Sequence, residues 1–216
     1  MNFAIIAQQL VSGMGSSLMI FVLTLLFSMP LGLLVAFGRM SKIKPLQAVI
    51  KVFIAILRGT PLMLQLLVVN FAPYYLFRIS LPRWYRFAAI IIGFSINYAA
   101  YFAEIYRSGI ESIPKGQYEA ASVLGYNKNQ TFFRIIFPQM VKRVLPPVTN
   151  EVITLVKDTS LAFVLAYEEM FTVAKQIASA RTSIMPLFVV GVFYFIFNAV
   201  VAFAMERIEK KLSYYH

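Results

Sequence analysis

EAASVLGYNKNQTFFRIIFP, residues 119–138, is a polar island with its own helix punctuation inside a chain otherwise built for lipid. Pro114 and Gly116 open it, and residues 117–124 read as a short helix that Gly125 stops, because glycine enters the left-handed region that ends helices without steric cost. Asn127, followed three residues later by Gln130, has the spacing of a capping box and starts a second helix expected to end near Pro138. A helix-glycine-helix elbow results. Phe132, Phe133, Ile135, Ile136 and Phe137 are apolar enough to anchor its second helix on the rest of the chain, whereas Ala120 and Ala121 let another surface approach the backbone of the first. Composition alone also allows an amphipathic hairpin lying on a membrane surface.

Outside the elbow, the solvent is lipid. Of 216 residues 60% are hydrophobic and 13% charged, and the mean hydropathy is +0.73, values foreign to a water-soluble domain of this size. Residues 1–38 carry no charge, only Lys51 and Arg58 interrupt 45–77, and 87–103 and 182–205 carry none. About 20 residues cross the hydrocarbon at about 1.5 Å each, so these stretches read as spans one, two, three and five. Residues 144–167 are long enough for a fourth despite Glu151, Lys157 and Asp158. The expectation is an all-α membrane protein, a single transmembrane domain over residues 1–216 with five transmembrane helices. Residues 107–143 form a helix-turn-helix loop between helices three and four.

The start lacks the basic n-region of a cleavable signal and its apolar stretch runs past the usual length, so it is read as a helix. Zero cysteine excludes disulfides and thiolate metal sites, and the single histidine, His216, reads as a solvated tail rather than a metal ligand. Basic residues collect on the cytoplasmic side of membrane proteins. With the N-terminus outside and the C-terminus inside, thirteen of the twenty Lys and Arg fall in the cytoplasm and five outside. The elbow is then cytoplasmic, in a multi-pass protein of a cytoplasmic (inner) membrane. The net charge of +11 follows from the same bias and calls for no nucleic acid.

The interior of span four is the second informative region. At about 100° per residue, Glu151, Thr154 and Asp158 fall within about 60° of one another, with Lys157 turned away. An ionised side chain near a bilayer centre costs at least about 2.5–3.5 kcal/mol on insertion scales, so this cluster faces protein or a water-filled path. In one reading it lines a substrate pathway, where Asp158 and Glu151 receive an ammonium group beside Lys157, and Asn150, Thr159 and Ser160 add neutral hydrogen bonds. Asn97, Tyr98 and Tyr101 contribute from span three. In the other, Glu151, Lys157 and Asp158 form a structural network with Arg58. Arg58 either binds a carboxylate bidentately or fastens the break that Gly59 and Pro61 introduce into span two.

Glu119-Ala120-Ala121, three residues, Gly125, nine residues and then Ile135-x-Phe137-Pro138 resembles the EAA loop of permease subunits of bacterial ATP-binding-cassette importers. Phe137 stands where that family usually has Leu. Arg58-Gly59-Thr60-Pro61-Leu62 with Gln65, and residues 103–110 (AEIYRSGI) followed by 113–117 (IPKGQ), are similar to segments of the polar amino-acid branch. So are Pro138-Gln139, Leu145-Pro146, Asn150 and residues 157–161 (KDTSL).

The resemblance implies a type I importer permease fold. It further implies a core of two permease subunits, taken as like copies, with two ATPases that use ATP and magnesium and an external amino-acid-binding protein. In that family the first helix of the loop docks in a groove on the ATPase. Glu119 then orients the elbow or pairs with the partner, Ala120, Ala121, Ser122 and Leu124 lie at the contact, and Gly125 makes the turn. Such coupling requires the two states of the partner to bind the elbow differently.

No G-x-x-x-x-G-K-[ST] segment occurs, so this chain supplies no P-loop and is expected to need no cofactor of its own. With no usable His or Cys and no Ser in a nucleophile setting, an intramembrane enzyme is not supported. A self-sufficient proton-coupled carrier or channel, with Glu151 and Asp158 relaying protons, is the alternative from another class. Two acids against one base in span four tilt the cargo towards a cationic amino acid, with glutamine close behind.

Overall fold

α1 (Phe3–Arg39) is 37 residues of almost uninterrupted apolar sequence, roughly 55 Å long at about 1.5 Å per residue and longer than the hydrocarbon is thick. In this computed structural model residues 3–212 are described, with side chains from Ile6 onward; the expectation for His216 falls outside the described residues. The main partner of α1 is α4 (Tyr85–Glu111). Lipid gives no hydrophobic drive for two helices to associate, so the contact depends on close backbone approach through small residues. Thr24, Ser28 and Ala36 are fully buried on α1, and Gly32 completes their four-residue spacing. A Cβ on Gly32 would stand 2.8 Å from Phe102 Cβ and 3.1 Å from the Ala99 carbonyl oxygen, so only glycine fits there.

α2 (Lys44–Gly59) and α3 (Leu62–Phe77) read as one apolar span but bend by 110° between them. Pro61 has no N–H and its ring clashes with a preceding helical turn, which ends α2. Pro73, inside α3, likewise lacks an N–H and deprives the Val69 carbonyl of its helical donor, but α3 continues to Phe77 and the Tyr85 hydroxyl donates to that oxygen at 2.9 Å. On α4 the rings of Phe94, Tyr98, Phe102 and Tyr106 recur every four residues, with neighbouring centroids 6.1–6.5 Å apart. This ladder is the spine of the core, joined by Ile20 and Phe21 of α1, Leu66 of α3 and Phe197 of α9 (Met185–Leu212). Val148, Val152, Leu155 and Val156 of α7 (Phe137–Asp158) complete it.

The elbow follows α4 as α5 (Lys115–Val123) and α6 (Lys128–Thr131). The second elbow helix does not end near Pro138, contrary to expectation. A widened π turn, Phe132–Ile136, carries it straight into α7, with the Phe137 N–H donating to the Phe132 carbonyl. The wider turn makes room for the Pro138 ring, so the proline is absorbed instead of breaking the helix. α7 gives way at Asp158 to a 3₁₀ segment, Thr159–Leu165, closed by Ala166 in the left-handed region. α8 (Met170–Arg181) then leads to α9.

Among the described residues, α1, α4 and α9 are long and apolar enough to cross a membrane, and the bent α2–α3 pair makes four if it is one span. The expected count of five is therefore not met on length and apolarity. The expected fourth span is α7 with its 3₁₀ extension, which carries Glu151, Lys157 and Asp158 and packs against α4 and α9.

Candidate functional site: an acidic cavity and an exposed elbow

The α2–α3 break, α4 and α7 meet around a cavity of about 230 Å³. Thr60 and Leu62 come from the break, Asn97, Tyr98 and Tyr101 from α4, and Glu151, Thr154 and Asp158 from α7. The i, i+3, i+7 spacing on α7 thus delivers all three polar side chains to one space. Tyr98 is 2% exposed and its hydroxyl donates to Asp158 Oδ2 at 2.7 Å, leaving Oδ1 for another donor. Among the described residues neither Glu151 nor Asp158 forms an ion pair. The cavity is smaller than a drug-sized site, on the scale of one small metabolite.

Several sequence candidates fall outside this lining. Lys157 and Asn150 are exposed on other faces of α7. The Thr159 hydroxyl donates to the Val156 carbonyl and the Ser160 hydroxyl to the Lys157 carbonyl, both at 2.8 Å, so each serves the helix end where α7 breaks. Arg58 lies in a groove of about 250 Å³ that shares Tyr101 and Glu151 with the cavity and runs on past Glu104, Arg107 and Ser108. It forms no ion pair with the α7 carboxylates; its guanidinium sits 5.1 Å from the centre of the Tyr101 ring.

Asn97 lines the cavity but spends its amide on the break. Its Nδ2 donates to the Leu57 carbonyl at 3.1 Å and to Gln65 Oε1 at 2.9 Å. Gln65 Nε2 reaches the Leu57 carbonyl at 2.9 Å, the Thr60 carbonyl at 3.1 Å and Thr60 Oγ1 at 2.8 Å. The last carbonyls of α2 have no helical donors, and these two amides supply them. Thr60, Leu62 and this bracing were not apparent from sequence. Gln65 three residues beyond Leu62 was the available signal, since an amide in an apolar span needs a partner.

The sequence also hid a second polar cluster. Glu169, fully buried, caps α8 by accepting from the N–H groups of Phe171 at 2.7 Å and Thr172 at 2.6 Å. The hydroxyls of Thr172 at 2.8 Å and Tyr194 at 3.0 Å also donate to it, and Ser17 lies at 3.5 Å. Among the described residues it ties α1, α8 and α9 together without an ion pair, and its place in a short loop gave no periodicity to reveal it.

The elbow has the predicted local chemistry. Gly125 stands at φ 79°, its N–H donates to the Ser122 carbonyl, and the Tyr126 N–H donates back to Ala121 at 3.0 Å, the paired bonds of a Schellman ending. The Gln130 N–H donates to Asn127 Oδ1 at 2.9 Å and the Asn127 N–H to Gln130 Oε1 at 3.0 Å, completing the capping box. Glu119, Ala120 and Ser122 are exposed, and Val123 and Leu124 are 87% and 73% exposed. Ala121 is only 1% exposed: it packs inward, so its small size serves this chain's own fold and not an outside contact as expected. Of the aromatic residues expected to anchor the second helix, Phe133 and Phe137 point out, while Ile136 and Met140 do the anchoring.

The family model described as binding-protein-dependent transport system inner membrane component matches residues 28–214. The L-cystine transport system permease protein TcyB of Bacillus subtilis is 37% identical over 90% of this chain and 82% of its own length. The arginine transport system permease protein ArtQ of the same organism is 30% identical over 94% and 92%. A crystal structure of an amino acid ABC transporter with histidines superposes with a TM-score of 0.87 at 29% identity, covering 98% of this chain and 99% of that one. Methionine transporter MetNI in an inward-facing conformation shares the fold, with a TM-score of 0.77 at 19% identity over 99% and 100%. The architecture is thus the all-helical permease fold of such transporters, and the chain belongs to the family of binding-protein-dependent transport system inner membrane components.

Proposed function

We propose that this chain is the membrane-spanning subunit of an ATP-driven importer whose cavity passes a polar amino acid, a cationic one by preference, towards the cytoplasm. The observation that carries the cargo class is the pair Glu151 and Asp158 on one wall of the cavity, without a partner cation among the described residues. Seven residues of α-helix separate them by about 10.5 Å, a span suited to the two positive ends of an amino acid such as arginine or lysine. Desolvated carboxylates without a counter-ion are costly, and a cationic cargo supplies one. Relatives named for cystine, glutamine and arginine support an amino acid as cargo.

The driving machinery on this reading lies outside the chain. The elbow presents Glu119, Ala120, Ser122, Val123 and Leu124 on a helix stopped by Gly125, a surface shaped for a groove on an ATPase that binds ATP and magnesium. A second permease subunit, a like copy, covers exposed apolar surface such as Val68, Phe71 and Tyr75 on α3, and an external binding protein delivers the cargo. The basic-residue bias puts the elbow and C-terminus in the cytoplasm and the N-terminus outside a bacterial inner membrane. Family membership gives no support to a self-sufficient carrier.

The deciding experiment purifies the chain with its ATPase and measures ATP hydrolysis stimulated by binding protein loaded with arginine, lysine, histidine or glutamine. Stimulation by cationic amino acids, lost in Glu151→Gln, is the expected result. Uptake that proceeds without ATP, driven by a proton gradient, would remove the importer reading.

A further inference from the structure

Two spaces share one wall. Tyr101 and Glu151 line both the cavity and the groove beside it, so they stand at the boundary. The groove continues past Glu104, Arg107 and Ser108, towards the end of α4 from which the elbow springs. Arg58 lines the groove but not the cavity, with its guanidinium over the Tyr101 ring.

The other charges of the groove are committed. Glu104 accepts from Arg107 at 2.6 and 3.1 Å and lies 3.7 Å from Arg39, while Arg107 also pairs with Glu111. Among the described residues Arg58 and Glu151 have no ion pair, so a cation that cannot be discharged, resting over the Tyr101 ring, and a carboxylate line the same groove. The root of Arg58 is held: the neighbouring Leu57 carbonyl takes bonds from both Gln65 and Asn97. Its side chain is exposed and long enough to swing.

We propose that Arg58 is a tethered cation guarding the elbow-side exit of the cavity, exchanging between the face of Tyr101 and the carboxylate of Glu151. Stacked on Tyr101, it keeps a favourable cation–π contact and leaves Glu151 to the cargo. Swung onto Glu151, it neutralises the emptied site and occupies the group that an amino acid entering from the groove would need. A group on a short tether competes at an effective concentration in the millimolar range, which sets the level of free amino acid it can hold off. Import would thereby resist reversal by the accumulated product.

This inference rests on the importer reading above, and its test separates the two. The complete complex is reconstituted in liposomes enclosing ATP and a series of arginine concentrations, and initial uptake of labelled arginine from the loaded binding protein is followed. Arg58→Gln is expected to lower the enclosed arginine concentration that halves uptake by about tenfold, while the charge-retaining Arg58→Lys stays within about threefold of wild type. A half-inhibiting concentration in Arg58→Gln within twofold of wild type overturns the guard. Should Arg58→Gln fail to assemble, Arg58→Met keeps an apolar contact on Tyr101 without the charge and is read in the same way. If wild-type vesicles concentrate glutamine and not arginine, the cationic cargo is refuted. The guard is then measured with enclosed glutamine, whose ammonium also needs Glu151, and an unchanged half-inhibiting concentration again overturns it.

Discussion

Replacing Asp158 with Asn removes a charge from the cavity while leaving its shape. Tyr98, buried in the core ladder, donates to Asp158 at 2.7 Å, and the Asn carbonyl oxygen can accept the same bond, so assembly should survive. On the proposed reading, what is lost is a carboxylate for the cationic end of the cargo. A hydrogen bond to a charged group contributes about 1.5–3 kcal/mol. At about 1.4 kcal/mol per tenfold, arginine binding should weaken roughly 10- to 150-fold, with glutamine affected less. Tyr98→Phe acts on the other side of that bond: the charge remains, so arginine binding should fall less than in Asp158→Asn, while the complex loses thermal stability because a half-buried carboxylate is left one donor short. The assay is binding of labelled arginine to the purified permease–ATPase complex without external binding protein, alongside gel filtration to establish assembly. An assembled Asp158→Asn complex that binds arginine within twofold of wild type would refute the assignment of Asp158 to the cargo.

Three further outcomes follow from the geometry. Gly125→Ala forces a side chain into φ 79°, at a cost of about 1–2 kcal/mol, and should reduce amino acid imported per ATP hydrolysed while membrane insertion persists; unimpaired coupling in vesicles would count against the elbow as the drive point. Val123→Glu with Leu124→Glu places charge on the exposed apolar pair at the C-terminal end of α5 and should release the ATPase during affinity purification, whereas retention at wild-type stoichiometry would move the docking surface elsewhere. Gly32→Val drives a side chain against Phe102 and the Ala99 carbonyl and should destabilise the α1–α4 contact by about 1–3 kcal/mol, read as a lowered midpoint of thermal denaturation.

The elbow was legible because its signals are local. A capping box spans four residues and a Schellman ending needs one glycine at the right place, so Asn127, Gln130 and Gly125 fell where the spacing put them. The continuation through Pro138 was missed because proline ordinarily reads as a stop, and nothing in five residues of sequence announces a π turn. Ala121 shows a different limit: its size was noticed, but which side of the elbow it faces depends on where Ile136 and Met140 pull the second helix. Helical spacing likewise put Glu151, Thr154 and Asp158 on one face, yet it could not say that Thr159 and Ser160 would turn their hydroxyls onto the breaking helix.

By itself, the sequence determined the lipid environment, the charge-free stretches, the elbow and the acidic face of α7, because hydropathy, capping and helical periodicity act between residues a few positions apart. Only the tertiary structure brought Thr60 and Leu62 opposite Asp158, gave the cavity-lining Asn97 the further task of bracing α2, and set Arg58 over Tyr101. These groups are separated by some 30 to 100 residues of chain, and their meeting depends on how the bent α2–α3 pair and α7 pack against α4, which no local signal encodes.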